Sequence, residues 1–147
     1  MLRAFFIDPF KAQVCAIEIV YDTHVWCKLL MCECLDVARL QMIGAPHLIL
    51  DIWVDDYGMI RVPEPWPMWR VRGVELAGYG LVTMSDSVGE TISLPGDLTV
   101  GMFVNQSPLQ LEPWEKRLNP EDFHEQLMRS IELEQPTLVH YRGLVPR

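Results

Sequence analysis

Between Leu48 and Val54 the chain reads LILDIWV, so Leu48, Leu50, Ile52 and Val54 share one face of an extended strand, with Ile49, Asp51 and Trp53 on the other. A strand face that is apolar throughout belongs near the centre of a sheet. The residues that follow, Asp55-Asp56-Tyr57-Gly58, carry turn chemistry: Asp side chains bond to their own backbone, and Gly accepts the positive φ that closes a short connection. Leu48–Ile60 is therefore predicted to be a β-hairpin near the sheet centre, with Met59-Ile60-Arg61-Val62 returning. No catalytic signature accompanies it, and the chain speaks more clearly of architecture than of reaction.

Half of the 147 residues are apolar and 10% are aromatic, enough for one domain with a real core and too much for disorder. A formal net charge of −8 argues against a nucleic-acid or anionic-membrane surface and permits a basic partner. The final Leu144-Val145-Pro146-Arg147 matches what thrombin cleavage of an expression tag leaves, so 143–147 are read as a tag remnant and 1–142 as a single α+β domain. The opening MLRAFFIDPF is cut by Asp8-Pro9 well short of a signal or membrane segment, which places the protein in the cytoplasm. Cys15, Cys27, Cys32 and Cys34 are then expected to be reduced thiols.

Leu2–Ile7 and Ala12–Val20 read as strands joined at Asp8-Pro9. Asp22 or Thr23 caps a short helix running to Met31, with Val25, Trp26, Leu29 and Leu30 on its buried stripe. Cys34–Ile43 is extended, and Gly44-Ala45-Pro46 turns it into the strand described above. Three prolines make Pro63–Met68 a loop; Trp69–Arg72 is a short strand; and the glycines of Gly73–Gly80 suggest a bend or bulge. Leu81–Met84, a turn over Ser85–Gly89, and Glu90–Leu94 form another strand pair, ended by Pro95-Gly96-Asp97. Leu98–Val104 suits either a strand or a short buried helix, and Ser107–Leu118 a connection. The best helix signal begins at Asn119, a good N-cap, with Pro120 in the first turn and Phe123, Leu127 and Ile131 in line behind it.

The order of an aliphatic strand ending Ile7-Asp8-Pro9, a short helix, Cys34-Leu35-Asp36-Val37-Ala38-Arg39-Leu40 and then Trp53-Val54-Asp55-Asp56-Tyr57-Gly58-Met59-Ile60 resembles a domain-of-unknown-function family of small phage- and plasmid-borne proteins. The likeness spans roughly the first two thirds of the chain, and VDDYGMI is its most specific piece. It implies a mobile-element origin and a bacterial cytoplasm, and it supplies no active site.

Several constellations invite a functional reading beside a structural one. Cys32-Glu33-Cys34 with Cys27 upstream has the ligand type for zinc or redox chemistry, but lacks CxxC spacing and reads more simply as buried, inert cysteines. Asp51, Asp55 and Asp56 could offer carboxylates to a ligand, against a role in turn formation. Gly78-Tyr79-Gly80 lacks the third glycine and the helix of a nucleotide-binding turn, and His24, His47, His124 and His140 show no regular spacing. Trp66, Met68, Trp69 and Trp114 are the strongest candidates for a protein-binding surface, the alternative being that the indoles fold back over the core. Glu121, Asp122 and Glu125 belong to an acidic helix that either mimics a phosphate row or is simply solvated.

These readings converge on a single α+β domain with a mostly antiparallel, twisted sheet, a short helix in the N-terminal half and a longer C-terminal helix. The leading functional expectation is a non-enzymatic phage- or plasmid-type accessory protein that binds a host protein, inhibiting a defence or nucleic-acid-processing factor. No cofactor, no metal, no direct nucleic-acid contact and no membrane contact are expected. The alternatives are a small-molecule or metal-binding domain, or an enzyme of unrecognised type, using a pocket near Asp55-Asp56 and the cysteine segment, and a homo-oligomer.

Overall fold

Unbroken apolar runs and alternating ones have different fates in this molecule. In β1 (Leu2–Asp8) Phe5 and Ile7 face one side and Ala4 and Phe6 the other, and all four are buried, as a strand covered on both faces requires. The computed structural model describes residues 1–42, 45–58, 66–107, 109–111 and 137–140. β1 turns into β2 (Gln13–Ile19) through a tight connection in which Asp8 Oδ1 accepts the backbone N–H groups of Phe10 and Lys11 at 3.0 and 3.2 Å. Helix α1 (Thr23–Leu29) follows, then β3 (Leu35–Met42), β4 (Ala45–Asp55), β5 (Met68–Val71), β6 (Val74–Ala77), β7 (Gly80–Ser85) and β8 (Thr91–Ile92). Helix α2 (Val100–Gln106), β9 (Leu109–Leu111) and β10 (Thr137–His140) complete the described elements.

The architecture is α+β with antiparallel sheets. The larger sheet has the order β10-β2-β1-β7-β4-β3, with β8 pairing β7; the smaller is β6-β5-β9. Each face of the larger sheet carries its own core. On the first, Phe5, Ile7, Leu50, Ile52, Val54 and Val82 pack against Trp69, Val71, Leu76 and Leu109 of the small sheet and against Phe103 of α2. On the second, Phe6, Cys15, Ile17 and Leu81 meet Trp26 and Leu29 of α1, its C-cap Leu30, Tyr79 and Trp66.

The predicted strand pairs at the N-terminus and at Leu81–Leu94 are present, and Leu50, Ile52 and Val54 lie on the buried face assigned to them. β4 pairs β3 along one edge and, over Leu50–Trp53, β7 along the other, which places it one strand in from the sheet edge where a position near the centre was expected. The hairpin expected over Leu48–Ile60 depends on a return strand at Met59–Val62, which lies outside the described residues, as does the expected helix after Asn119. The stretch read as a bend, Gly73–Gly80, contains strand β6, joined to β5 by Arg72 and Gly73 at φ 49° and 79°, the pair of positive values of a type I′ turn. Leu98–Val104 resolves as helix α2, whose N-cap Thr99 accepts the Met102 N–H at 3.1 Å.

Two glycines position the central strand. A Cβ at Gly78, where φ is +80°, would lie 2.4 Å from the Trp66 ring, and one at Gly80 would lie 3.0 Å from the Trp69 ring. Gly73 has a similar φ with nothing within 4 Å. Gly73→Ala should therefore cost only the left-handed backbone penalty, about 1 kcal/mol, and Gly78→Ala about 3 kcal/mol through added overpacking. Urea midpoints of the two variants test this; equal losses would remove the indole contact as a constraint.

Candidate functional site

The first turn of α1 is capped by Asp22, whose carboxylate accepts the His24 N–H at 2.8 Å, and Trp26 anchors the helix through its indole N–H to the Val20 carbonyl at 2.9 Å. The helix ends abruptly. Met31 N–H bonds to the Lys28 carbonyl and Cys32 N–H to the Cys27 carbonyl, at 3.2 and 2.9 Å, the paired bonds of a Schellman motif. Met31 occupies its left-handed position with φ 55°, where glycine is usual, at a cost of about 1–2 kcal/mol. Its side chain packs against the second core, which offsets that cost.

The reversal brings the cysteine segment back beside the end of β4. Asp56 N–H donates to the Cys34 carbonyl at 3.0 Å, and Asp55 Oδ1 accepts the Tyr57 N–H at 3.0 Å, so the turn after β4 is held to the start of β3. Between these parts lies an open cleft of about 820 Å³ lined by His24, Cys27, Lys28, Met31, Cys32, Glu33, Asp55 and Tyr57. Its charges are mixed, and Tyr57 stands 50% exposed at its margin. The cleft can take a side chain or ligand with both apolar and polar parts. No three His, Cys, Asp or Glu side chains among the described residues converge to hold a metal ion.

The three aspartates singled out from the sequence are not brought together. Asp55 is buried at the cleft, Asp56 is exposed, and Asp51 lies four residues back along β4, roughly 13 Å away. Asp51 is itself buried, accepting from Arg39 Nε at 3.0 Å and from the Ser85 hydroxyl. Beside it the Trp53 indole donates to Thr83 Oγ1 at 2.9 Å.

The aromatic surface expected at Trp66, Met68 and Trp69 is also redrawn. Trp69 is fully buried with its indole N–H on the Gly78 carbonyl at 2.8 Å, and Trp66 is 9% exposed, packed edge-on against Tyr79 with ring centroids 5.4 Å apart. Burial of the large apolar rings against glycine backbone outweighs exposing them on a loop. Met68 is half-buried and borders a small cavity of about 160 Å³ with Trp69, Arg70 and Glu75. Trp114, Glu121, Asp122 and Glu125 lie outside the described residues.

The cysteines differ from one another, where the sequence suggested uniform burial. Cys15 alone is buried; Cys27, within α1, and Cys32, just past its end, are half-buried, and Cys34 is exposed. Burial, and secondarily the charge of Asp8, push the Cys15 thiol from 9.0 up to about 12. The same two causes raise the Tyr79 hydroxyl, which has no hydrogen-bond partner among the described residues. The cleft lies where the alternative reading put a pocket, near Asp55-Asp56 and the cysteine segment; what the sequence did not signal is that His24 and Lys28 of α1 and Tyr57 would complete its walls.

Comparison of the chain with protein-family models, with curated proteins and with solved structures finds no match. Among the described residues no helix is long and apolar enough to cross a membrane.

Two outcomes follow from the buried thiol and phenol. Both groups ionise more readily in the unfolded chain, which therefore holds fewer protons than the folded one above pH 9. Stability should fall as pH rises from 9.0 toward about 12, with Cys15 contributing at most ~1.4 kcal/mol per pH unit, and Cys15→Ala should flatten part of that slope in urea melts. Native-state alkylation followed by peptide mapping should modify Cys34 first and Cys15 last; early labelling of Cys15 would contradict its burial.

Proposed function

We propose that this chain is a non-enzymatic binding protein whose contact surface is the cleft between α1, the cysteine segment and the Asp55–Tyr57 turn. The observation that carries the reading is Tyr57, half-exposed beside a concave surface that also presents Met31. Tyrosine and methionine are enriched at protein interfaces, and an aromatic anchor docking beside a pocket is where binding energy concentrates. The backbone bonds that hold Asp55, Asp56 and Cys34 make this surface pre-organised, so little ordering entropy opposes docking.

The biological setting rests on the sequence resemblance alone: a phage- or plasmid-type accessory protein in the bacterial cytoplasm, engaging a host protein and inhibiting a defence or nucleic-acid-processing factor. The acidic C-terminal stretch carrying Glu121, Asp122 and Glu125 would add a second, salt-sensitive contact. Affinity capture from a bacterial lysate, followed by titration of the captured protein, tests the assignment. Tyr57→Ala should weaken the complex about 30-fold, the effect of losing a ~2 kcal/mol anchor, while Val88→Ala on a separate exposed loop should not. An unchanged affinity for Tyr57→Ala would move the interface elsewhere.

A second reading is favoured by the size of the same cleft. About 820 Å³ falls within the ~300–1,000 Å³ typical of small-molecule sites. Native mass spectrometry of the purified protein separates the two, because a retained ligand adds mass that denaturation removes.

A further inference from the structure

We infer that Cys27 and Cys32 form an oxidisable dithiol in the wall of the cleft, closing to an intramolecular disulfide when the protein meets a low-molecular-weight disulfide. Both side chains line the cleft, and both are half-buried thiols, so an oxidant entering from solvent reaches them. The backbone holds them together. A Cys32 N–H to Cys27 carbonyl bond of 2.9 Å keeps the two Cα atoms within about 7 Å even with every intervening atom in line, and closer once bent. Disulfide-linked cysteines have Cα atoms ~4.4–6.8 Å apart. These are also the two positions of a Schellman motif whose side chains commonly touch across the reversal. Cys34 does not line the cleft, and Cys15 is buried in the second core, so neither competes for the pairing.

The Cys27 thiol donates to the Glu33 carbonyl at 3.8 Å, a weak bond that the reduced form gives up on reaction. In the first step a thiolate of the pair attacks one sulfur of the small disulfide, forming a mixed disulfide and releasing one small thiol. In the second, the other thiolate attacks the protein sulfur of that mixed disulfide and expels the second small thiol. The two thiol protons leave on the two released thiols, and the two electrons lost by the protein reduce the small disulfide. The product replaces two thiols in the cleft wall with one rigid bridge across the end of α1, so oxidation alters the surface that a ligand or partner would meet. The pairing itself does not depend on what the cleft binds.

The test uses the full chain carrying Cys34→Ser, incubated with oxidised glutathione and followed by intact mass and peptide mapping. The expected product is two hydrogens lighter than the starting protein, carries no glutathione, links the Cys27 and Cys32 peptides and returns to the starting mass with a reductant. Cys27→Ser and Cys32→Ser should each lose the lighter species and stop at a glutathione adduct on the remaining thiol. A persistent adduct on Cys27 or Cys32 in the parent protein, a bridge that includes Cys15, or no reaction at either site overturns the inference. The parent protein alone can yield each of those three results, whether or not the two single-thiol variants fold.

Discussion

Two indoles seated on glycine backbone hold this architecture together. Trp69 belongs to the core on one face of the large sheet and Trp66 to the core on the other, yet both press on the segment Gly78-Tyr79-Gly80 that leads into β7. Trp69 also donates its indole N–H to the Gly78 carbonyl, and Tyr79 stacks on Phe6 with ring centroids 5.4 Å apart. Since β7 pairs with β1, β4 and β8, the place where β7 begins sets the relation of the small sheet to the large one. Any side chain larger than hydrogen at Gly78 would meet both a ring and an unfavourable φ. These aromatic side chains thus serve the interior.

Polar chemistry takes up where that apolar packing stops. Helix α1 is only seven residues long, so it covers the second face over Trp26, Leu29 and Trp53 and leaves the sheet beyond it to hydrogen-bonded groups. There Asp51 is satisfied by Ser85 and Arg39, and Trp53 by Thr83, as buried polar atoms require. The Arg39 side chain is 61% exposed, so solvent screens its charge, and the bond matters chiefly because it gives the buried Asp51 carboxylate a partner. The edge strand β3 is similarly occupied: Asp36 Oδ1 accepts the Val37 N–H at 2.9 Å, and the Arg72 guanidinium donates to the Gln41 carbonyl. Side chains placed on edge groups discourage pairing with another sheet.

The cleft is a consequence of the same shortness. An abrupt Schellman reversal with methionine in the left-handed position returns the chain toward β4, and the turn at Asp55–Tyr57 is tied to it by Asp56 and Cys34. The result is a concave surface whose shape is set by backbone hydrogen bonds and whose chemistry comes from side chains with little else in common. Tyr57 gives it an anchor, and two thiols give it a reactive wall.

What the sequence determined by itself were the features that depend on near neighbours. Alternation at Leu48–Val54, the Asp8 and Ser85–Gly89 turns, and the Asp22 cap were all legible, because residue period and local hydrogen bonding act within a few positions. Strand partnership was not: along Leu50–Trp53, β4 takes β7 as its second neighbour, 28 to 34 positions away in sequence, a pairing that no local pattern encodes. Nor could local pattern tell that Gly78 and Gly80 receive indoles, which decided between an exposed and an inward-folded Trp66 and Trp69, or that α1 and Tyr57 would wall the pocket beside Asp55 and the cysteine segment. Those outcomes belong to the tertiary structure, because only the packed sheet decides which surfaces are already covered when a side chain seeks a place to bury.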